Sequence, residues 1–282
     1  MGFDWSSLGR TAPTALVEAR LTAHHAAQWA TRAARANLAA APDDSHSAFA
    51  WDDAQRALVS QPLAAKPGPL RVGLRIEELQ LLVLRDDAIA SQFALDGRAN
   101  SSIGNWLDAQ LAAAGLKPAT SVEIPYTIDA HPVAHGAEYR LSEASKELAR
   151  WYQASAETLD ALRAKLAALN PSPSPVRCWP HHFDIATLIA LDAGSGEHAR
   201  SIGVGVSPGD GSYVQPYAYI SPWPYPDASK LPAAPHPGRW HTEGFVAIVA
   251  TGEALLSLSD RGPAFLAFVT RAYETARASL GG

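Results

Sequence analysis

Cysteine is nearly absent: the 282-residue chain holds one, Cys178. A single thiol cannot close an internal disulfide, so the fold has to stand on its core. At this length one large or two medium domains can bury enough apolar surface to do so. Long hydrophobic runs are missing too. Leu81 to Leu84 and Phe245 to Ala250 are among the longest, far short of the roughly 20 residues a membrane-spanning helix needs. No membrane partner is expected. The N-terminal Met-Gly-Phe-Asp-Trp lacks the basic region and apolar core of a secretory leader, and the protein is read as cytosolic. Charge of one sign is nowhere concentrated. The net charge is −5 and basic and acidic residues are scattered through both halves, so no stripe exists to neutralise a phosphate backbone and nucleic acid is not expected as a partner.

No complete catalytic or cofactor motif is present either. Ser207 lacks the Gly-x-Ser-x-Gly elbow that exposes a hydrolase nucleophile. His131 and His135 are spaced i, i+4, but Pro132 lies between them and no carboxylate follows at ligand spacing. The loop from Pro125 to Gly136 therefore reads as solvated. No metal is assigned, and the cofactor stays unknown.

What is there has clear periodicity. Leu16, Ala19, Ala23, Ala27, Ala30 and Ala34 recur at helical spacing and predict a long helix over 16–38, with Arg20, Arg32 and Arg35 facing solvent. Phe49 to Trp51 and Arg56 to Ser60 predict a hairpin about Asp52-Asp53. Leu70, Val72, Leu74 and Ile76 alternate with polar or small residues, and Leu79, Leu81 and Val83 follow after Glu77-Glu78, predicting two antiparallel strands. A helix capped by Ser101 or Ser102 should run to Ala114, with Gly115 as its left-handed stop. Val122 to Ile124 suggests a further strand. A second long helix is predicted over 142–169, then strands at 183–191, 201–206, 217–220 and 245–250, and a last helix over 263–279.

Residues 16–115 and 147–280 thus share one order: long helix, several strands, helix. The fold class is α+β, antiparallel sheets packed with long helices, in two pseudo-duplicated halves. The halves are placed at 1–140 and 141–282 within one compact unit, the second carrying the candidate site.

That site centres on Ser174-Pro-Val-Arg-Cys-Trp-Pro-His-His-Phe-Asp184. If 179–190 is extended, Trp179 and His181 point one way while His182 and Asp184 share the other face. A carboxylate beside an imidazole fixes its tautomer and raises its basicity, as a general base requires. The same pair also serves as a purely structural contact. Farther on, Gly203 and Gly205 leave room for a ligand or backbone to approach before Ser207-Pro-Gly-Asp210. Asp210 is a ligand contact or a turn residue. Tyr217, Tyr219 and Trp223 share a strand face that is either core or an aromatic wall, and alternation pairs His241 with Glu243. Cys178 reads as a small buried hydrophobe.

At Ser174-Pro-Val-Arg-Cys-Trp-Pro-His-His-Phe-Asp-Ile-Ala186 the chain resembles a family of uncharacterised, mainly bacterial proteins, a domain of unknown function. Ser207 to Asp210 and Pro216-Tyr-Ala-Tyr219 match its later turn and aromatic strand. The resemblance implies no activity, substrate or cofactor. In it His181, Asp184 and Asp210 fall on matching positions, whereas His182 stands where the family has a smaller residue, which makes His181 the rival imidazole.

Two readings follow. In the first, a cytosolic protein binds a small molecule in a cleft between its halves, with acid/base or hydrolytic chemistry at His181, His182 and Asp184 and contacts from Trp179, Asp210, Tyr217, Tyr219, Trp223, His241 and Glu243. In the alternative, the same residues only pack and turn a non-catalytic structural or protein-interaction module.

Overall fold

A computed structural model describes residues 3–192 and 199–281. Its contacts separate two units. The N-terminal-sheet unit comprises Leu16–Arg150 and Arg177–Phe183; the described part of the C-terminal-sheet unit is 3–15, 151–176, 184–192 and 199–281. The sequence reading set a boundary at 140/141; the units change over ten residues later, inside one continuous helix, and the turn 177–183 belongs to the first of them.

The N-terminal-sheet unit is built on helix α1 (Val17–Asn37), whose alanines are small enough for neighbours to close in around most of its circumference. Ala19, Ala23, Ala27, Ala30 and Ala34 are buried as their spacing predicts, but so are Arg20, Thr22, His24, Gln28 and Thr31. Arg20 therefore does not face solvent. It is 7% exposed and pairs with Asp129 at 2.9 Å. The strands β1 (Ala50–Asp52), β2 (Ala57–Val59), β3 (Leu70–Arg75), β4 (Gln80–Arg85) and β5 (Ala88–Ala94) form an antiparallel sheet in sequential order. The predicted hairpins pair Trp51 with Leu58 and Arg75 with Gln80. β5 had no strong apolar alternation to reveal it. Its sign was Asp86-Asp87, both at positive φ, the geometry of a two-residue hairpin turn.

Helix α2 (Asn100–Ala113) ends as expected, with Gly115 at φ +72° and the Leu116 amide turned back to the Leu111 carbonyl. Its start differs. The N-cap is Ala99, without a side-chain cap, and Ser101 and Ser102 lie inside the helix. No strand forms at 122–124. That segment is extended without a ladder, between single 3-10 turns at Ala119–Ser121 and Pro132–His135. Helix α3 (Glu143–Lys165) then belongs to this unit up to Arg150 and to the other from Trp151. β6 (Arg177–Trp179) meets Phe49 in an antiparallel bridge, through hydrogen bonds of 2.8 and 2.9 Å between Phe49 and Cys178.

In the C-terminal-sheet unit the strands β7 (Asp184–Ala190), β8 (Ser201–Ser207), β9 (Tyr217–Trp223), β10 (Arg239–His241) and β11 (Ala247–Thr251) are antiparallel in the order β10-β11-β9-β8-β7, followed by α4 (Gly252–Leu256) and α5 (Arg261–Ser279). The fold is thus α+β, and the element order of the two halves does recur. The topology does not repeat throughout, because the last two strands of this sheet exchange places.

Register sorts this sheet into two faces. Ile185, Val206, Ala218 and Ala250 lie in one row and Val204, Ile220 and Ile248 in the next, all at most 3% exposed. α5 covers this apolar face with Phe265, Phe268, Val269 and Ala272. The opposite face carries Asp184, Ser207, Tyr217 and Tyr219. Gly238 lies against α5: a β-carbon there would lie 2.7 Å from the Phe268 ring and 2.8 Å from Ile248. Gly238→Ala should lower stability by about 1–3 kcal/mol through overpacking, and Phe268→Leu added to it should cost less than it does alone. Urea midpoints of the two single variants and the double variant measure that coupling.

Candidate functional site

The predicted run 179–190 is not one extended strand. It breaks after β6 into a turn at 180–183, where Phe183 has φ +58° and its amide, like that of His182, donates to the Trp179 carbonyl. Positive φ is rare for a bulky side chain and persists only where surroundings fix it. Here α1 fixes it. His24 Nε2–H donates to the Pro180 carbonyl at 2.8 Å, Gln28 Nε2–H donates to the same oxygen at 3.0 Å, and the His24 ring stacks on Phe183, 2° from parallel. The alternation that paired His182 with Asp184 therefore ends at the turn.

His181 lands among rings: His182 at 4.4 Å, Tyr126 at 5.8 Å and Trp179 at 6.2 Å between centroids. Burial, then the neighbouring His182, pushes its pKa down. Tyr126 donates to Gln28 Oε1 at 2.9 Å, and burial pushes its phenol far up. Gln28 is fully used, donating to Pro180 and to the His24 carbonyl while accepting from Tyr126.

The remaining predicted residues lie in the other unit, on the polar face of its sheet. Tyr219 crosses β8 and donates to Asp184 on β7. It can do so because Gly205 lies beneath it: a β-carbon there would meet the Tyr219 hydroxyl oxygen at 2.5 Å, the ring carbon that bears it at 2.6 Å and Ala186 at 2.8 Å. The space that predicted a ligand is filled by the sheet's own tyrosine. Tyr217 donates to Asp210 Oδ2 at 2.5 Å, while Asp210 Oδ1 accepts the amides of Ser212 and Tyr213, so Asp210 is also a turn residue. Ser207 is buried and its Oγ accepts the Gly209 amide. Tyr213 links Tyr217, at 4.8 Å, to His241, whose Nδ1 accepts its hydroxyl at 2.9 Å. His241 Nε2–H donates to the Glu243 main-chain carbonyl, so the predicted imidazole–carboxylate pair is not made. Trp223 stands at the far end of β9, opposite Ser201 and 42% exposed.

This face brings Asp184, Asp210, Tyr217, Tyr219 and His241 into one linked array, but one whose hydroxyls are occupied. Burial first, then Asp210, drives the Tyr217 phenol far above its ordinary range, so it serves as a neutral donor. Both ring nitrogens of His241 are engaged.

A pocket that the residue pattern had not indicated lies wholly in the N-terminal-sheet unit. About 530 Å³ in volume, it is bounded by α1 (His25, Trp29, Arg32), by α2 at Asn100, and by the segment 124–139. The loop expected to be merely solvated is its wall. Val122, Ile124, Tyr126 and Ile128 alternate half-buried with exposed neighbours, a period-2 signal without a ladder. Asn100 donates to the Val133 carbonyl and accepts from Tyr139, a buried phenol pushed far up by burial. His131 is buried, bonded through Nε2 to Glu18 at 2.8 Å. Trp29 fits because Gly104 on α2 leaves its ring room. His25 Nε2–H donates to the Asp129 carbonyl at 2.9 Å, and burial lowers its pKa, leaving Nδ1 as a lone pair beside the pocket.

Among the described residues no group of three His, Cys, Asp or Glu could hold a metal ion, and no helix is long and apolar enough to cross a membrane. No family model, curated protein or solved structure matches the chain.

Two outcomes test this geometry. Burial holds the His24 pKa down at about 4, against about 6.5 for the unfolded chain. Below pH 6.5 the unfolded chain takes up a proton the folded state refuses, so stability is full above 6.5 and falls as pH drops towards 4, by at most about 3 kcal/mol. His24→Gln keeps a donor for Pro180 and removes that titration. Urea unfolding at pH 7 and pH 5 should show a smaller loss in the variant, and equal losses would refute it. Separately, Gly205→Ala should displace Tyr219 from Asp184 and lower stability by about 1–3 kcal/mol, read as a depressed Tm and a shifted tyrosine absorption.

Proposed function

We propose that the protein binds a small molecule, and that the ligand enters the pocket between α1 and residues 124–139. The observation that carries this reading is the pocket itself. Its volume of about 530 Å³ lies within the roughly 300–1,000 Å³ usual for ligand sites, and its wall combines apolar side chains with a few polar ones, as such sites do. The polar face of the C-terminal sheet supports binding less well, because its hydroxyls and imidazole already have partners. Acid/base chemistry at His181, His182 and Asp184 is not part of the proposal.

In this reading the protein works in the cytosol, on a small molecule and not on nucleic acid, and stands with the bacterial proteins it resembles at 174–223. Its single thiol, buried at Cys178, and its net charge of −5 are in keeping with that setting. The interaction-module reading has one observation in its favour: Trp223 and Tyr225 are 42% and 45% exposed and pack edge to face at 5.2 Å within a proline-rich segment.

Ala134 is exposed on the pocket wall, so Ala134→Trp should fill the pocket at little cost to the fold. A fragment library screened by thermal shift should contain compounds that raise the Tm of the wild type and not of Ala134→Trp, since ligand stabilisation follows occupancy of the native site. A library without such a compound, or shifts that survive in Ala134→Trp and vanish in Trp223→Ser, would count against the pocket.

A further inference from the structure

We propose that the ligand of this pocket is an organic anion whose carboxylate or phosphate head is held by the guanidinium of Arg32. The inference rests on the small-molecule reading above and adds the ligand's class. It comes from asking which of the polar groups around the pocket's inner wall are already used. Gln28 is committed to Pro180, His24 and Tyr126. Asn100 is committed to Val133 and Tyr139. Asp129, the carboxylate in the wall, is held at 2.9 Å by Arg20, so its charge is balanced from behind.

Arg32 is different. It is half-buried on α1 and lines the pocket, and its Nε–H is buried with no acceptor among the described residues. Among the described residues no carboxylate stands in ion-pair range of it. It lies over the Trp29 ring, 5.3 Å from guanidinium carbon to centroid. A ring holds a cation in position without satisfying any of its N–H groups. The result is a guanidinium fixed at a pocket wall with its donor fork unused, the arrangement that suits a bidentate carboxylate or phosphate. Buried donors in folded proteins nearly always have acceptors; Arg20 and Arg163 also leave an Nε–H without one, but each of those guanidinium groups holds a carboxylate, and Arg32, at the pocket wall, holds none among the described residues. His25 adds no competing charge, since burial lowers its pKa and leaves the ring neutral at pH 7. Ile124, Ile128 and Ala134 on the same wall would take the apolar body of the molecule.

A matched set tests this: benzoate and phenyl phosphate against benzamide and benzyl alcohol, each titrated by ligand-observed NMR at one fixed ionic strength. The wild type should bind at least one anion 10-fold or more tightly than either neutral compound, and the tighter anion identifies the head group. Arg32→Gln should remove that margin, Arg32→Lys should keep a preference of about 3-fold or more, and Ala134→Trp should abolish binding of the whole set. Neutral compounds binding as tightly as the anions in wild type, or a margin undiminished in Arg32→Gln, would overturn the anion assignment and leave the pocket reading standing. Binding of no compound at all by the wild type would overturn both. Circular dichroism confirms that each variant is folded; if Arg32→Gln is not, equal binding of anions and neutral compounds by Arg32→Lys would overturn the assignment.

Discussion

The carbonyl of Pro180 accepts from His24 and from Gln28, and the N-terminal-sheet unit is arranged around that shared oxygen. A buried carbonyl needs a donor, and two polar side chains one turn apart on an otherwise alanine-rich helix supply a pair. Everything near it follows. Phe183 is held at a positive φ against the His24 ring, the strand at 177–179 closes on Phe49 through Cys178, and His181 is set among Trp179, Tyr126 and His182. Gln28 extends the same constraint to the segment 124–139 through Tyr126. One amide side chain thereby ties the densest stretch of the sequence to the wall of the pocket.

Periodicity made much of the scaffold legible. The long helices, both early hairpins and four of the strands in the C-terminal sheet arise from apolar spacings that mean the same thing in any context. Elements without such a spacing were missed. β5 is an exposed edge strand announced only by Asp86-Asp87, and β10 has three residues. The site was less legible for a different reason. Alternation placed His182 beside Asp184, but alternation assumes an unbroken strand, and what breaks this one is a partner more than 150 residues away. Arg20, read as solvent-facing from its position on a helix, is buried because Asp129 meets it. A residue's neighbours along the chain do not report such partners. Its polar side chains do, in part: His24, Gln28 and Thr31 interrupt an alanine stripe, and a buried helix keeps polar residues only where they have work to do.

The two units satisfy their polar groups with different kinds of partner. On the C-terminal sheet, carboxylates and phenols meet each other: Tyr219 donates to Asp184 and Tyr217 to Asp210. In the N-terminal-sheet unit most polar groups at the pocket are satisfied too, by Val133, Pro180, Tyr126 and Arg20. That economy gives the uncommitted Arg32 its meaning. Where most of its polar neighbours have partners, an idle guanidinium is a property of the site and not of loose packing.

Tyr219 lying across Gly205 also bears on how the C-terminal sheet finds its alignment. A slide of two residues between β8 and β9 would leave every side chain on its proper face, and burial alone would barely oppose it. Moved one way, Tyr219 would stand opposite Ser207, without the gap that Gly205 leaves for its ring. Moved the other way it would find room over Gly203, but with Leu188 abreast of it in place of Asp184's neighbour Ala186. A ring that fits only over a gap, and a carboxylate that waits beside only one gap, together work as a key and its ward: the strands are free to slip until the tooth drops.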